Sequence, residues 1–360
     1  MKSKERIVAA LTGKPVDRLP FSPFLAYVWE YFPKEVQDAG PLAFHHMIGA
    51  DPLWRGAPCP VGYAMNPEVK TTCFEQDGRQ VTVVSTPVGE LRMASMKSES
   101  GNTNFLVEHP LKTKEDYKVQ TWIEEHTRII RDPKPMAVHF AGDGREGLSL
   151  GMLIPRCKSA YQSLVEHHAG TEELVYAQAD FPDAVNTLWQ TMVARDIEAA
   201  RMAAEADYDY FITWEDSSTQ NYSPEIYDRY IGAEISQWCD ILKANGKHYV
   251  QHACGHVRAL IRPMQMSGVM AVESLSPLPT GNLTLAEARA IAGPALGIIG
   301  GIEPTQFLRL PMSELGAYVE QVIADGQGGP FVLANSDSCP PGVTVEKFKR
   351  VADIARGVKL

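Results

Sequence analysis

The sequence predicts an α/β fold, a (β/α)8 TIM barrel with a hairpin-rich elaboration towards its N-terminus, and two observations carry the barrel expectation. Through the second half of the chain, short apolar runs alternate with amphipathic ones, which requires a parallel sheet covered by helices. Polar, chemically useful residues follow several of the apolar runs: Glu215-Asp216, His252, Glu273, Glu303 and Asp337. That distribution suits the rim of a closed barrel, whereas an open doubly wound sheet gathers its site at one switch point. The alternation by itself satisfies either architecture. No G-x-G-x-x-G or G-x-x-x-x-G-K-S/T segment opens one of the helices, so nicotinamide and nucleotide cofactors are not indicated.

The elements follow in order. Ile7, Val8 and Leu11 fall at helical spacing and Gly13 stops the helix; Pro15 and Pro20 frame a turn that enters a strand at Phe21. Residues 55–125 hold Pro, Gly and Thr clusters with short alternating runs such as Gln80–Ser85, which predict antiparallel hairpins folded over one side of the main body. Strands are then expected at Pro135–Phe140, Tyr208–Thr213, Gly246–Gln251, Gly268–Glu273, Ala295–Ile299 and Pro330–Ala334. Helices are expected between them, one begun by Ser223-Pro224-Glu225 and another by the capping box Thr284-Leu-Ala-Glu287. The whole reads as one domain, 1–360, including the 55–125 elaboration.

With 360 residues, 44% hydrophobic and 22% charged, the chain has the composition of a globular protein with a large core. A net charge of −10 argues against a nucleic-acid or anionic-membrane surface, either of which needs a basic field. The start, Met1-Lys-Ser-Lys-Glu-Arg, enters an amphipathic segment, and no run of eighteen apolar residues occurs. A cytoplasmic location is therefore expected. The six cysteines, 59, 73, 157, 239, 254 and 339, are scattered without a tight framework and read as reduced thiols.

The sharpest chemical signal is His252-Ala-Cys254-Gly255, just beyond a predicted strand. A His and a Cys one residue apart can converge on a metal, with Gly255 allowing the sharp backbone path behind them. Core packing or turn geometry accounts for an isolated H-x-C equally well. Cys339, in Ala334-Asn-Ser-Asp-Ser-Cys-Pro-Pro-Gly342, also lies beyond a strand. On a barrel rim, His252, Cys254 and Cys339 can supply N, S and S to one Zn2+ and leave a position open, the arrangement of a catalytic site. Glu215, Asp216 and Glu273 are candidate catalytic groups that orient a ligand or move a proton, or else cap the elements that follow. Phe24, Tyr27 and Trp29 lie in the densest aromatic cluster and read as core or as a stacking wall for a planar substrate. His139 faces either the core or the substrate, and Glu303 either closes the site or begins a helix.

Glu5-Arg-Ile-Val-Ala-Ala-Leu-Thr-Gly-Lys-Pro-Val-Asp17-Arg18-Leu-Pro20 resembles the opening of the uroporphyrinogen decarboxylase superfamily. The resemblance continues through Trp214-Glu-Asp216, Tyr222-Ser-Pro-Glu225, His252-Ala-Cys-Gly255, Gly300-Gly-Ile-Glu-Pro304 and the Cys339 segment, so it spans essentially the whole chain. It implies a (β/α)8 barrel with its cleft at the C-terminal rim. Decarboxylases of the superfamily carry an arginine-rich segment after the opening strand, whereas Phe21–Tyr31 here has no arginine. The H-x-C-G element and distant third cysteine look like the branch of zinc methyltransferases, and that match falls on His252, Cys254 and Cys339. This similarity implies demethylation or methyl transfer between a small molecule (a methoxylated aromatic, methylated amine or thiol) and a cobalamin presented by a partner corrinoid protein. A decarboxylase acting on a small acid or porphyrinogen is the alternative. A homodimer is compatible with either.

Overall fold

The computed structural model describes residues 1–98 and 103–358. The strands in chain order are β1 (Leu53–Ala57), β2 (Val61–Ala64), β3 (Lys70–Gln76), β4 (Arg79–Thr86), β5 (Gly89–Lys97), β6 (Asn104–Glu108) and β7 (Arg128–Arg131). They continue with β8 (Leu148–Met152), β9 (Tyr210–Trp214), β10 (His248–His252), β11 (Ala271–Leu275), β12 (Gly297–Ile302) and β13 (Phe331–Asn335). A parallel sheet of seven strands, ordered β1-β8-β9-β10-β11-β12-β13, forms the centre. β2 pairs antiparallel with β7, and β3 to β6 form a separate antiparallel meander.

The central sheet curls without closing as an eight-stranded barrel, which corrects the expected architecture. In place of an eighth strand, Phe21 makes a single parallel bridge to Leu333 of β13. Pro20 and Pro23 flank that residue and carry no N–H, so the segment cannot extend a ladder. The Asp51 amide donates to the Phe21 carbonyl at 2.8 Å, the one further backbone bond here that reaches towards β1.

Within the curl, the period-two alternation of strands sorts side chains into two populations. Leu53, Leu148, Leu150, Tyr210, Ile212, Val250, Ala271, Ile299 and Val332 point inward and pack together. Ile7, Ala10 and Leu11 of helix Ser3–Leu11 join this inner cluster. Phe211, Tyr249, Val272, Ile298 and Leu333 point outward, into the larger core beneath the covering helices. The same alternation carried to the strand ends makes Arg55, Trp214, His252 and Glu273 the last inward residues of β1, β9, β10 and β11. His252 pairs in register with Trp214 on one side and Glu273 on the other. The pleat of the sheet thereby lays a polar layer on top of an apolar one.

The expected capping box forms at helix Leu285–Ala292, where the Glu287 amide donates to Thr284 Oγ1 and the Thr284 amide to Glu287 Oε2. The meander lies inside the elaboration expected at 55–125, but residues 55–57 belong to the central sheet. Pro135–Phe140 is not a strand. It lies in helix Pro133–Ala141, begun by a proline where no N–H is needed, and Val138 of that run is largely exposed. The strand at this point of the alternation is β8, fully buried. Among the described residues no helix is long and apolar enough to cross a membrane.

Candidate metal centre

His252 closes β10, and its two ring nitrogens meet different partners. Nδ1 lies 2.5 Å from Glu273 Oε2, and Nε2 lies 3.2 Å from Asp216 Oδ1. Two residues on, Cys254 Sγ lies 3.4 Å from the same Asp216 oxygen. The turn that follows Cys254 needs Gly255, whose φ of +89° falls in the left-handed region. Among the described residues, Asp216, His252 and Cys254 form a group whose ligand atoms all lie within 4.8 Å of one another. Nitrogen, sulfur and oxygen donors converging on one point fit a zinc site. The contact of Nδ1 with a buried carboxylate leaves Nε2 as the nitrogen that faces the group, the arrangement that orients a metal-binding imidazole.

Glu273 is itself anchored. Arg55 Nε donates to its Oε1 at 2.7 Å, Ser274 Oγ donates to its Oε2 at 3.0 Å, and Arg55 Nη2 reaches the Ser22 carbonyl at 3.1 Å. Burial pushes Glu273 towards its neutral form, but the charges of Arg55 and His252 win and hold it below the usual carboxylate range. His252 shows the same balance with the opposite sign. Burial lowers it, while bonding to Asp216, Cys254 and Glu273 holds it well above an ordinary histidine.

On the other side, Lys158 Nζ lies 3.1 Å from Asp216 Oδ2 and also pairs with Glu166, which Gln162 contacts as well. Burial opposes the charge on Asp216, yet His252 and Lys158 together hold it well below the usual range. Burial raises the Cys254 thiol. The buried and half-buried charges thus run in one line: Arg55, Glu273, His252, Asp216, Lys158, Glu166. Non-glycine residues with positive φ in the described chain are Asp77, Cys157, Asp216 and Ser274, and the last three adjoin or belong to this line. Strained backbone concentrated at one rim is a mark of a functional site.

An aromatic floor lies beside the donors. Phe24 and Trp214 stack with ring centroids 5.8 Å apart and planes 2° from parallel, and Trp214 meets His252 edge-on at 5.0 Å. Arg55 lies 5.3 Å from the centre of the Phe24 ring.

Other residues singled out in the sequence lie elsewhere. Glu215 is fully buried and accepts from the Ser159 amide at 2.8 Å, from Ser159 Oγ at 2.7 Å and from Thr213 Oγ1 at 2.7 Å. Burial pushes its carboxyl up to about 7. Cys339 is buried on the loop after β13 and falls outside the group of three. Its amide donates to the Phe24 carbonyl at 3.2 Å, and burial beside Asp337 holds its thiol well above the ordinary value. Tyr27 is exposed, and Trp29 packs edge-on against Phe32 and Phe44. His139 Nε2 lies 2.8 Å from Ser149 Oγ near the start of β8, at the opposite end of the strands from the rim. Glu303 caps helix Pro304–Arg309, accepting from the Gln306 amide at 2.6 Å, and its Oε1 is buried without a partner. Sequence reasoning missed Arg55 and Lys158. The signal for Lys158 was the apolar run Leu148–Ile154, which ends in Pro155-Arg-Cys-Lys158.

No curated protein matches the chain. Among solved structures, a methyltransferase from Methanosarcina mazei superposes with a TM-score of 0.63 at 14% identity, covering 99% of this chain and 98% of that one. A B12-independent methionine synthase from a Shewanella species gives a TM-score of 0.48 at 10% identity, covering 94% and 97%. The uroporphyrinogen decarboxylase (URO-D) family matches residues 162–358, a span that holds Asp216, His252, Cys254 and Cys339. With more than half of its length inside that match, the chain belongs to the uroporphyrinogen decarboxylase (URO-D) family.

Proposed function

We propose that this protein is a zinc-dependent methyltransferase that moves a methyl group between a small substrate and a corrinoid protein. The observation that carries the reading is the convergence of His252, Cys254 and Asp216 donor atoms within 4.8 Å on the strand-end rim. On this reading His252, Cys254 and Cys339 would hold the ion and Asp216 would supply a further oxygen donor. Cys339 lies on the loop after β13, tied to Phe24 through its amide and outside the group of three, so its place in the set is the part of the assignment that mutation must test. Carboxylate is the hardest donor in such a set, so the Asp216 oxygen would be the most weakly held of these ligands. Bound zinc would supply Lewis acidity, activating a thiol as thiolate or stabilising the oxygen that leaves a methyl ether.

The remaining work falls to the chain's own residues. Glu273, locked by Arg55, keeps the His252 ring turned so that Nε2 faces the rim. The half-buried Phe24–Trp214 pair places aromatic surface beside the donors, which favours a methoxylated aromatic over a methylated amine or a simple thiol. Asp216, about a third exposed and held ionised by His252 and Lys158, presents a carboxylate oxygen at the rim beside His252 and Cys254. The decarboxylase alternative needs cations free to bind substrate carboxylates. Arg55 and Lys158, the cations of this cluster, are both committed to carboxylates.

The test is a methyl-transfer assay with a reduced corrinoid protein, run against methoxyaromatics, methylated amines and thiols. Transfer with methoxyaromatics that falls at least tenfold in Asp216→Asn is expected. Absence of transfer with every class by zinc-loaded protein, or carboxylate loss from uroporphyrinogen, overturns the reading.

A further inference from the structure

Asp216 divides its two carboxylate oxygens between two kinds of partner. Oδ1 faces His252 Nε2 and Cys254 Sγ, while Oδ2 faces Lys158 Nζ at 3.1 Å. Lys158 has a second anion of its own, Glu166, and its side chain is only 7% exposed. A lysine this buried with a single partner would be left uncompensated whenever that partner moved. With Glu166 held by Gln162 on its far side, Lys158 stays paired whether or not Asp216 remains in contact. Asp216 also sits at φ +44°, a conformation that non-glycine residues adopt only when their surroundings impose it. Lys158 directly follows another such residue, Cys157 at φ +67°. The contact therefore joins two strained stretches of backbone.

The geometry points to Lys158 as a positioning residue that competes with a bound divalent cation for Asp216, weakening the carboxylate's hold on the ion so that it can be exchanged. This inference rests on the metal-site reading above and adds to it a residue outside the span matched by the family. An ammonium beside Asp216 acts in two ways. It draws Oδ2 away from the donor group, and it repels a dication through a partly desolvated medium. Glu166 moderates both effects by sharing the ammonium. Removing Lys158 and removing Glu166 must therefore shift metal affinity in opposite directions, which a purely structural role for the cluster does not predict.

The experiment measures zinc affinity of the full chain by competition with a chromophoric chelator, with thermal unfolding of each variant as a check on folding. Lys158→Met is expected to bind zinc at least tenfold tighter than the parent, and Lys158→Arg to stay within about threefold of it, since Arg restores the positive charge. Glu166→Gln, which leaves the ammonium to Asp216 alone, is expected to bind several-fold weaker. In an Asp216→Asn background, Lys158→Met should give less than half of its tightening on a logarithmic scale, because the group competed for is gone. Equal or weaker binding by folded Lys158→Met, or movement of Lys158→Met and Glu166→Gln in the same direction, overturns the inference while leaving the metal site standing. Failure of the parent to bind zinc overturns both. If Lys158→Met does not fold, the sign of the Glu166→Gln shift decides alone.

Discussion

At His252 Nδ1 the 2.5 Å contact with Glu273 determines which nitrogen faces the rim, and Arg55 determines where Glu273 can be. Arg55 and Glu273 have side chains 1% and 0% exposed, so neither charge can turn to water if the other is removed. Arg55→Met should lose on the order of 3 kcal/mol in urea unfolding and bind zinc about tenfold more weakly. A variant with parental stability and affinity would show that the pair does not govern the histidine. Glu215 supports a different prediction. Its folded carboxyl titrates at about 7, above the 4.5 of an unperturbed Glu, so the folded state retains a proton that the unfolded state has already released. The associated stability is present below about pH 4.5 and is lost as pH rises to about 7. The parent should therefore lose on the order of 2 kcal/mol relative to Glu215→Gln between about pH 5 and pH 7, read from urea midpoints. Parallel pH profiles would contradict this. His252 and Cys254 were legible in the sequence because H-x-C-G is a compact signal. Asp216 was visible only as one of two adjacent acids, and nothing in Trp214-Glu-Asp216 says which side chain turns to Ser159 and which to the rim. The left-handed backbone at Asp216 makes that choice, and it depends on tertiary context.

Among the central strands, β1 and β8 escaped one-dimensional reading, and β1 did so because its composition hides it. Leu-Trp-Arg-Gly-Ala has one aliphatic residue at each end and a break at Gly56, where the register with β8 shifts. Such a run does not show the continuous apolarity that marked β11 to β13. The opposite error arose at 135–140, where a short apolar run fits a buried strand or one side of a helix equally well. Gly56 is also where β1 meets the site. Its φ is +67°, and a Cβ there would stand 2.6 Å from the Trp214 ring. Gly56→Ala should cost about 1–2 kcal/mol in backbone strain and push Trp214 off Phe24. Loss of aromatic substrate affinity, measured by calorimetry, should exceed the loss of zinc affinity. An equal loss of both, or of neither, would show that β1 does not set the aromatic floor.

Across the whole molecule, an apolar interior sealed by helix Ser3–Leu11 at one end supports a polar layer at the other, so the donors stand on rigid strand ends. Strand–helix alternation was legible because parallel strands are buried on both faces and read as apolar runs. The incomplete closure was not, since it turns on two prolines around Phe21 and not on any missing apolar run. Metal content decides whether this layer holds a catalytic zinc. Elemental analysis of reduced, freshly purified protein should find about one zinc per chain, the stoichiometry of a single mononuclear site. His252→Ala and Cys254→Ala should each fall well below half of the parent value while remaining folded. Parent protein free of zinc after reconstitution, or full zinc retained by both variants, would rule out a zinc site on this layer.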